Sequence, residues 1–113
     1  IFVSIHLNKF TTSAASGSQV FYSKNNPESK FLAESIQNGI SSLLQPENKR
    51  IIKEATKDIY ILYHTEKPAV LVECGFLSNS RELAKLKDSK YQKEMAFSIF
   101  CGIAEYFKKS EEL

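Results

Sequence analysis

The chain has few of the residues that define several common classes of protein. Its 113 residues include only two cysteines, Cys74 and Cys101, and neither the C-x-x-C nor the H-x-x-x-H spacing occurs. This cysteine content is too low for a disulfide framework, and the spacings typical of structural zinc sites are absent. The sequence therefore predicts two free thiols and leaves the redox compartment open.

Charge and hydrophobic patterning exclude two further classes. The 15 basic and 13 acidic residues are scattered and give a net charge of +2, without the clustered basic stripe of nucleic-acid-binding proteins. We therefore expect no nucleic-acid partner. No apolar run approaches the roughly 18 residues of a membrane helix. With 42% hydrophobic and 25% charged residues, the composition is typical of one globular domain or part of one.

The first segment, IFVSIHLN at residues 1–8, is predicted to be a strand. Alternate residues of a strand share a face, which places His6 on the face opposite Val3 and Ile5. The segment begins directly with apolar residues, without an initiator methionine or a preceding polar stretch. We therefore expect residues 1–113 to be the C-terminal part of a longer protein, with further elements upstream.

Helices and short apolar strands alternate along the rest of the chain. Further strands are predicted at residues 18–22, 58–63 and 69–73. Helices are predicted to begin at the N-cap residues Asn26, Asn79 and Ser89. This alternation predicts the α/β class.

Two of the predicted helices carry apolar residues at helical spacing. The first stripe is Leu32, Ile36, Ile40 and Leu43, and the second is Met95, Ile99, Ile103 and Phe107. We expect both stripes to face the core. Two capping boxes, in which paired side chains satisfy orphan amides at a helix start, are predicted for Asn79 with Glu82 and for Ser89 with Gln92.

A carboxylate lies inside the most apolar run of the chain, AVLVECGFLSN at residues 69–79. Burying an unpaired carboxylate is so costly that Glu73 should either protonate or gain a partner. His6 and Glu73 both end predicted strands, and ligands of open α/β sheets collect beyond the carboxyl ends of strands. An imidazole beside a carboxylate can hold a metal and transfer a proton. We therefore interpret His6 and Glu73 as candidate site residues.

Each of these residues also has a structural interpretation. Taken alone, His6 is more simply a core or edge histidine, whereas for Glu73 a function is favoured over a salt bridge because glutamate is rarely fully buried unless paired. Cys74 suggests a cysteine-dependent hydrolase as an alternative. That alternative is weakened because Cys74 points to the opposite strand face, and a buried thiol is commonly a small hydrophobe. His64 is interpreted as a surface histidine in a loop.

Four segments occur in the order and spacing of a known family. They are SIHLN at residues 4–8, GSQVFY at 17–22, PAVLVECGFLSN at 68–79 and YQKEMAFSIFCGIAEYF at 91–107. Together they resemble the C-terminal half of the zinc-dependent N-acetylmuramoyl-L-alanine amidases of the Amidase_3 family. GSQVFY and YILYH are most similar to the spore-cortex amidases of endospore formers. The resemblance implies a three-layer α/β sandwich with a mostly parallel or mixed sheet, in which residues 1–113 supply the C-terminal strands and helices of one catalytic domain.

The resemblance also implies roles for individual residues. The histidine of the family's S-I-H-x-N motif, a zinc ligand, falls on His6, and the catalytic acid/base of its E-x-G-F-x-S-N motif falls on Glu73. Asn8, in the first motif, is a candidate substrate-binding residue. The implied cofactor is Zn²⁺. The family's other two zinc ligands, a histidine in a Gly-His-Gly turn and a glutamate, have no counterpart in this sequence and are expected upstream of Ile1.

The implied activity is hydrolysis of the amide between N-acetylmuramic acid and L-alanine in peptidoglycan, in cell-wall or spore-cortex remodelling. The implied location is outside the cytoplasm, in the cell wall or forespore envelope. Expected partners are peptidoglycan and the N-terminal half of the same domain, with an accessory protein or a homo-oligomer as further candidates. The isolated chain is expected to be inactive. Two alternatives stay open: a half-domain acting only in assembly or protein interaction, and a hydrolase that uses Cys74.

Overall fold

The computed structural model describes residues 1–8 and 13–111. The elements within these residues are, in chain order, β1 (Phe2–Asn8), β2 (Gln19–Tyr22), α1 (Glu28–Leu43), β3 (Lys53–Glu54), α2 (Tyr60–His64), β4 (Ala69–Phe76), α3 (Ser80–Lys87) and α4 (Ser89–Glu111). Strands and helices are interspersed along the chain, so the predicted α/β class is confirmed. None of the helices in this part of the chain combines the length and apolarity needed to cross a membrane.

The strands form one mixed sheet in the order β1, β4, β2, β3. β4 is parallel to β1 and antiparallel to β2, while β2 is parallel to β3. Every residue of β4 except Glu73 is buried. A strand covered on both faces is apolar at successive positions rather than at alternate ones. The central place of β4 therefore explains the continuous apolar run in the sequence.

The sheet is the middle layer of the fold. On one face, Val70 and Val72 share a buried cluster with residues of α1 and α4. On the other face, Leu62 of α2 packs with Ala69 and Leu71. Helices on both sides of a mixed sheet give the layered arrangement that the resemblance implies.

Glycines allow α1 and α4 to approach closely. A Cβ atom on Gly102 would lie 2.6 Å from Ile36 Cα, and one on Gly39 would lie 2.9 Å from the carbonyl oxygen of Ser98. At the same crossing, Ser35 Oγ donates a hydrogen bond of 2.6 Å to the carbonyl oxygen of Gly102. The two helices therefore meet backbone to backbone, and they support the face of the sheet behind them.

The strand predicted at residues 58–63 is wrong, because this segment forms the one-turn helix α2. The amides of Tyr63 and Thr65 donate to carbonyl oxygens four residues earlier, each at 3.0 Å. Leu62 is fully buried, whereas Tyr60 is 73% exposed. A segment of five or six residues fits both the helical and the strand period, and burial of Leu62 against the sheet favours the helix here.

The predicted apolar stripes are correct in part. Leu43 is 55% exposed and Phe107 is 46% exposed, whereas Tyr106 is buried. Leu43 is exposed because it is the last residue of α1. Residues four apart advance about 400° around a helix of 3.6 residues per turn, so the strict four-residue repeat from Met95 leaves the buried face by Phe107. Tyr106 instead donates from its hydroxyl to Glu28 Oε1 at 3.1 Å, which connects α4 to the start of α1.

The predicted helix starts differ in detail from those observed. Helix α1 begins at Glu28 with Pro27 at the N-cap position, one residue later than predicted, although the Asn26 side chain accepts the Glu28 amide at 2.9 Å. Helix α4 is capped one residue earlier than predicted, because Asp88 Oδ2 accepts the amide of Tyr91 at 3.2 Å. Ser89 is therefore the first helical residue rather than the cap. A carboxylate is as good an N-cap as a serine hydroxyl, so the sequence alone does not distinguish Asp88 from Ser89 as the cap of α4.

Candidate active site

The structure brings His6 and Glu73 together on two adjacent strands, but within them rather than at their ends. β1 continues to Asn8 and β4 to Phe76, so the predicted end of the second strand at residue 73 is wrong. His6 and Glu73 are Cα partners in the parallel register of β1 and β4. Both lie on the face of the sheet that carries Leu71, because strand side chains alternate and Phe2 packs in the same cluster as Leu71. The imidazole of His6 is exposed, while Glu73 is half-buried. The two residues that sequence reasoning selected therefore share one face of the sheet.

Glu73 is electrostatically unusual. Of the buried side-chain oxygen and nitrogen atoms in the described residues, Glu73 Oε2 alone has no hydrogen-bond partner. Burial raises the pKa of Glu73 above its ordinary value, and the nearby His6 imidazole opposes this rise with a smaller effect. Orphaned buried polar atoms are rare in native structures and mark places where an external group binds or a proton moves. Glu73 therefore combines a raised pKa with an oxygen that has no hydrogen-bond partner among the described residues.

A small cavity of about 170 Å³ opens beside Glu73. Asn8, Gln19, Arg50 and Phe76 contribute to its walls. Asn8 reaches the cavity from the end of β1, where the pairing with β4 shifts register between His6 and Asn8. The candidate substrate-binding residue is thus placed next to the candidate acid/base, and its role stays a prediction.

The wall formed by β2 carries a side chain that sequence reasoning missed. Gln19 is the antiparallel Cα partner of Glu73. Its Nε2 donates to the carbonyl oxygen of Ile51 at 2.7 Å, and its Oε1 accepts from Arg50 Nη1 at 3.2 Å. A guanidinium therefore lies one strand away from Glu73. No local pattern could have revealed it, since Arg50 comes from an irregular segment.

Glu82 is a second residue that sequence reasoning misinterpreted. It is only 8% exposed, and its Oε1 accepts the amides of Gly17 at 2.9 Å and Phe76 at 3.2 Å. The predicted N-cap at Asn79 is confirmed. The second hydrogen bond of the predicted capping box, from the Asn79 amide to the Glu82 side chain, is wrong, because that amide donates to the carbonyl oxygen of Phe76. A Cβ atom on Gly75 would lie 3.1 Å from the same Glu82 oxygen. This carboxylate therefore joins the loop before β2 to the end of β4.

Cys74 lies on the other side of the sheet from the candidate site. Its side chain belongs to the buried cluster with α1 and α4, opposite the face of Glu73. Burial raises the pKa of Cys74 to about 11, and the charge of Glu73 adds to this rise. A nucleophilic cysteine needs a lowered pKa. Cys74 and Cys101 are both free thiols, and neither geometry nor pKa supports the cysteine hydrolase alternative at Cys74.

His64 is the last residue of helix α2 rather than part of a loop as predicted, and its side chain is exposed. Its ring centroid lies 4.3 Å from that of Tyr60 and 5.2 Å from that of Tyr63. These aromatic contacts agree with the surface interpretation. They involve no carboxylate, cysteine or second histidine.

The described residues bring few potential metal ligands together. Over residues 1–8 and 13–111, no group of three histidine, cysteine, aspartate or glutamate side chains is positioned to hold a metal ion. Zinc sites require three or four protein ligands. Within the described residues, His6 and the adjacent unpartnered oxygen of Glu73 are two groups able to bind a metal or carry a proton, and they suit one ligand and a neighbouring acid/base.

Two curated proteins are similar to this chain in sequence. The chain is 36% identical over 107 residues to the germination-specific N-acetylmuramoyl-L-alanine amidase of Bacillus subtilis (strain 168), covering 95% of this chain and 44% of that protein. It is 31% identical over 110 residues to the N-acetylmuramoyl-L-alanine amidase LytC of the same organism, covering 96% of this chain and 22% of LytC. The chain therefore spans half or less of the length of these curated relatives.

Solved structures share its fold. The CwlD amidase from Clostridioides difficile, in complex with the GerS lipoprotein, matches with a TM-score of 0.90 and 43% identity over 95% of this chain and 54% of that one. An N-acetylmuramoyl-L-alanine amidase from Clostridium difficile 630 matches with a TM-score of 0.84 and 34% identity, over 94% and 56%. The N-acetylmuramoyl-L-alanine amidase family Amidase_3 matches residues 1–105. The chain therefore belongs to the Amidase_3 family of N-acetylmuramoyl-L-alanine amidases.

Proposed function

We propose that this chain is the C-terminal part of a catalytic domain that hydrolyses the amide between N-acetylmuramic acid and L-alanine in peptidoglycan. The observation that carries the proposal is the buried, unpartnered Oε2 of Glu73 next to His6, in a member of an amidase family. Amide hydrolysis needs a group that removes a proton from the attacking water and delivers one to the leaving amine. Glu73 is the residue of the described chain that suits this task.

The chemistry of Glu73 follows from its surroundings. Its raised pKa brings the carboxylate closer to neutral pH, where a general base can also act as a general acid. The unpartnered Oε2 is the atom available to accept the proton of the attacking water. Because β4 is buried on both faces, this atom is held by the rigid centre of the sheet rather than by a loop. The same oxygen can then return the proton to the amine of L-alanine.

His6 would hold the metal in this proposal. Its exposed imidazole on β1 supplies one ligand, and the remaining ligands would come from outside the chain. Zn²⁺, when bound, supplies a Lewis acid that polarises the scissile carbonyl and makes water a stronger acid. The distance between His6 and Glu73 is set by strand pairing, so ligand and acid/base stay adjacent without a connecting loop.

The N-terminal part of the same domain is the partner that we propose for the chain. Among the described strands, β1 has β4 as its single neighbour, so its other edge presents unpaired backbone groups. Ile5 on this strand is 60% exposed, and Phe97 and Phe100 on α4 are 60% and 64% exposed. The solved relative with the TM-score of 0.90 is almost twice as long as the part that matches. A partner that adds strands beside β1 and helices beside α4 would cover these surfaces.

The biological setting is also proposed from the relatives. The matched Bacillus subtilis protein is named for germination, which supports a role in spore-cortex or cell-wall remodelling outside the cytoplasm. The matched CwlD amidase was solved in complex with the GerS lipoprotein, which supports an accessory protein as a further candidate partner. The second candidate function is assembly with the partner without catalysis. It is favoured by the described residues, which bring together no group of three potential metal ligands.

One experiment tests the proposal. The complete domain containing this chain is incubated with peptidoglycan, and newly released α-amino groups of L-alanine are counted alongside zinc content. We expect hydrolysis by the wild type and a loss of roughly 10²- to 10⁴-fold in Glu73→Gln with zinc retained, as for removal of a general acid/base. Glu105→Gln, at an exposed position of α4, is the matched control. Near-wild-type activity of Glu73→Gln would refute the role of this residue, and zinc binding without any hydrolysis would favour the assembly function.

A further inference from the structure

Arg50 stands between the cavity at Glu73 and a much larger cleft. The cleft has a volume of about 710 Å³, in the range of small-molecule and peptide sites. It lies between the loop before β2, residues 45–50 and the start of α3. Arg50 lines both the cleft and the cavity at Glu73. Arg50 is therefore the side chain that the two cavities have in common.

The guanidinium of Arg50 is held in place before any ligand arrives. Its Nε donates to the carbonyl oxygen of Ser16 at 2.7 Å, its Nη1 donates to Gln19 Oε1 at 3.2 Å, and its Cζ lies 5.0 Å from the centre of the Phe76 ring. The backbone amide of Arg50 is fixed as well, by Asn48 Oδ1 at 2.8 Å. A guanidinium has five N–H donors. The described residues use two of them, so the remaining donors are available to an acceptor in the cleft.

The charge of the cleft favours an anion. Four cationic side chains line it, namely Lys49, Arg50, Arg81 and Lys85, against two carboxylates, Glu47 and Glu82. One oxygen of Glu82 already accepts two backbone amides. The ion pair found within the described residues joins Lys90 and Glu94, so none of the four cations is neutralised by a carboxylate within 4.0 Å. Unpaired cations lining a concave surface concentrate positive potential there.

We propose that this cleft binds carboxylate groups of the peptide whose amide is hydrolysed at Glu73, with Arg50 as the first contact. The inference rests on the proposed function, because it takes the peptide side of the substrate to extend from Glu73. The glycan side is neutral once its lactyl carboxyl is in amide linkage, whereas a peptide with acidic residues or a free C-terminus is anionic. An anion-binding cleft therefore fits the peptide rather than the glycan.

The spacing of the strands agrees with a peptide that extends from Glu73 towards Arg50. Adjacent strands are about 5 Å apart, and Gln19, the neighbour of Glu73 on β2, holds the Arg50 guanidinium. An extended peptide advances about 3.3 Å per residue. The second or third residue after the scissile amide would then reach Arg50. Arg81 and Lys85, four residues apart on α3, are placed to meet a later carboxylate.

Peptide binding to the complete domain tests the inference without requiring turnover. In the Glu73→Gln background, isothermal titration calorimetry compares N-acetylmuramoyl peptide bearing free carboxylates with the same peptide bearing amidated ones. We expect the free acid to bind at least 10-fold more tightly, and Arg50→Gln to weaken it by about 10- to 100-fold, as for loss of a charged hydrogen bond. The amidated peptide should bind equally well to both proteins. Lys57→Gln, an exposed change outside the cleft, should bind as the parent does.

A second variant separates ligand contact from structural support. Arg50 also holds Ser16 and Phe76, so its replacement could disturb the loop. Arg81 is exposed and lines the same cleft, and Arg81→Gln should also weaken the free-acid peptide selectively. Equal binding of both peptides by the parent, or equal loss of both in the variants, would overturn the inference. If neither peptide binds while the wild type still digests peptidoglycan, the inference fails and the proposed function stands.

Discussion

His6 and Glu73 are register partners on the parallel strands β1 and β4, and their side chains lie on the same face of the sheet. This relationship places a candidate ligand and a candidate acid/base side by side although 66 residues separate them in the chain. Sheet hydrogen bonds fix the pair, so local loop motion does not change their spacing. A site of this kind is preorganised by the core of the fold.

The stability of the chain should depend on the ionisation of Glu73. Burial raises its pKa in the folded state, so the folded chain binds the proton more tightly than the unfolded chain does. Between the unfolded and folded pKa values the folded state holds more protons, and stability therefore falls as pH rises through that window. Glu73→Gln cannot ionise. We expect it to be more stable than the wild type at pH 7, with the difference shrinking as pH falls through the raised folded pKa and absent below the unfolded value of 4.5.

Urea unfolding at pH 4 to 8 measures this difference in free energy. The imidazole of His6 opposes the effect of burial, so the advantage of Glu73→Gln should increase in a His6→Gln background. Exposed Glu105→Gln serves as the control for a simple change of net charge. A Glu73→Gln chain less stable than the wild type at pH 7 would show that the carboxylate has stabilising partners.

Cys74 should be chemically inert. Its pKa is raised to about 11, so the thiolate is scarcely populated at pH 8, whereas Cys101 is partly exposed. We expect iodoacetamide to modify Cys101 well before Cys74, as measured by mass spectrometry of peptides. Cys74→Ser should cost about 1–3 kcal/mol of stability, because it buries a hydroxyl in an apolar cluster. Its complete domain should keep amidase activity, and a folded but inactive Cys74→Ser would revive the cysteine hydrolase.

The sequence predicted the parts of the site that depend on the two apolar strands. β1 and β4 have strong apolar patterns, so His6 and Glu73 could be assigned to strands, and parallel pairing brings them together although both strands run further than predicted. The short helix α2 could not be distinguished from a strand, since Tyr60–His64 is too short to show a period. Its helical form depends on packing of Leu62 against β4, which is a tertiary effect.

Arg50 and Glu82 could not be predicted for a different reason. Each is defined by partners far away in the sequence, such as Gln19 for Arg50 and Gly17 for Glu82. Glu82 even fits a local capping box, yet it uses its oxygen for Gly17 and Phe76 instead. Local patterns describe how a helix starts, but long-range hydrogen bonds decide how a buried carboxylate is used.

Gly102→Ala should destabilise the chain. In an isolated helix alanine is more favourable than glycine by about 1 kcal/mol, so propensity alone predicts the opposite sign. The new Cβ would lie 2.6 Å from Ile36 Cα, which forces α1 and α4 apart. We expect a loss of about 1–3 kcal/mol, as for overpacked cores. Urea unfolding checks this value, with exposed Lys93→Ala on the same helix as the control. Equal or greater stability of Gly102→Ala would mean that the helices are not in backbone contact.

The last prediction concerns zinc. The described residues supply His6 but no group of three potential ligands, and zinc affinity depends on a complete tetrahedral set. Metal analysis after dialysis should therefore find the 113-residue chain with well below one equivalent of zinc, and the chain should release nothing from peptidoglycan.

Adding the N-terminal part of the domain should raise zinc to one equivalent and restore hydrolysis together, because the missing ligands and the cover for β1 arrive in one step. His6→Ala should remove zinc from this assembly. His64→Ala is the matched control, since His64 is an exposed histidine stacked against tyrosines at the end of α2, and it should leave zinc bound. Stoichiometric zinc in the chain by itself, or loss of zinc in His64→Ala, would show that the ligand assignment is wrong and that His64 belongs to the site.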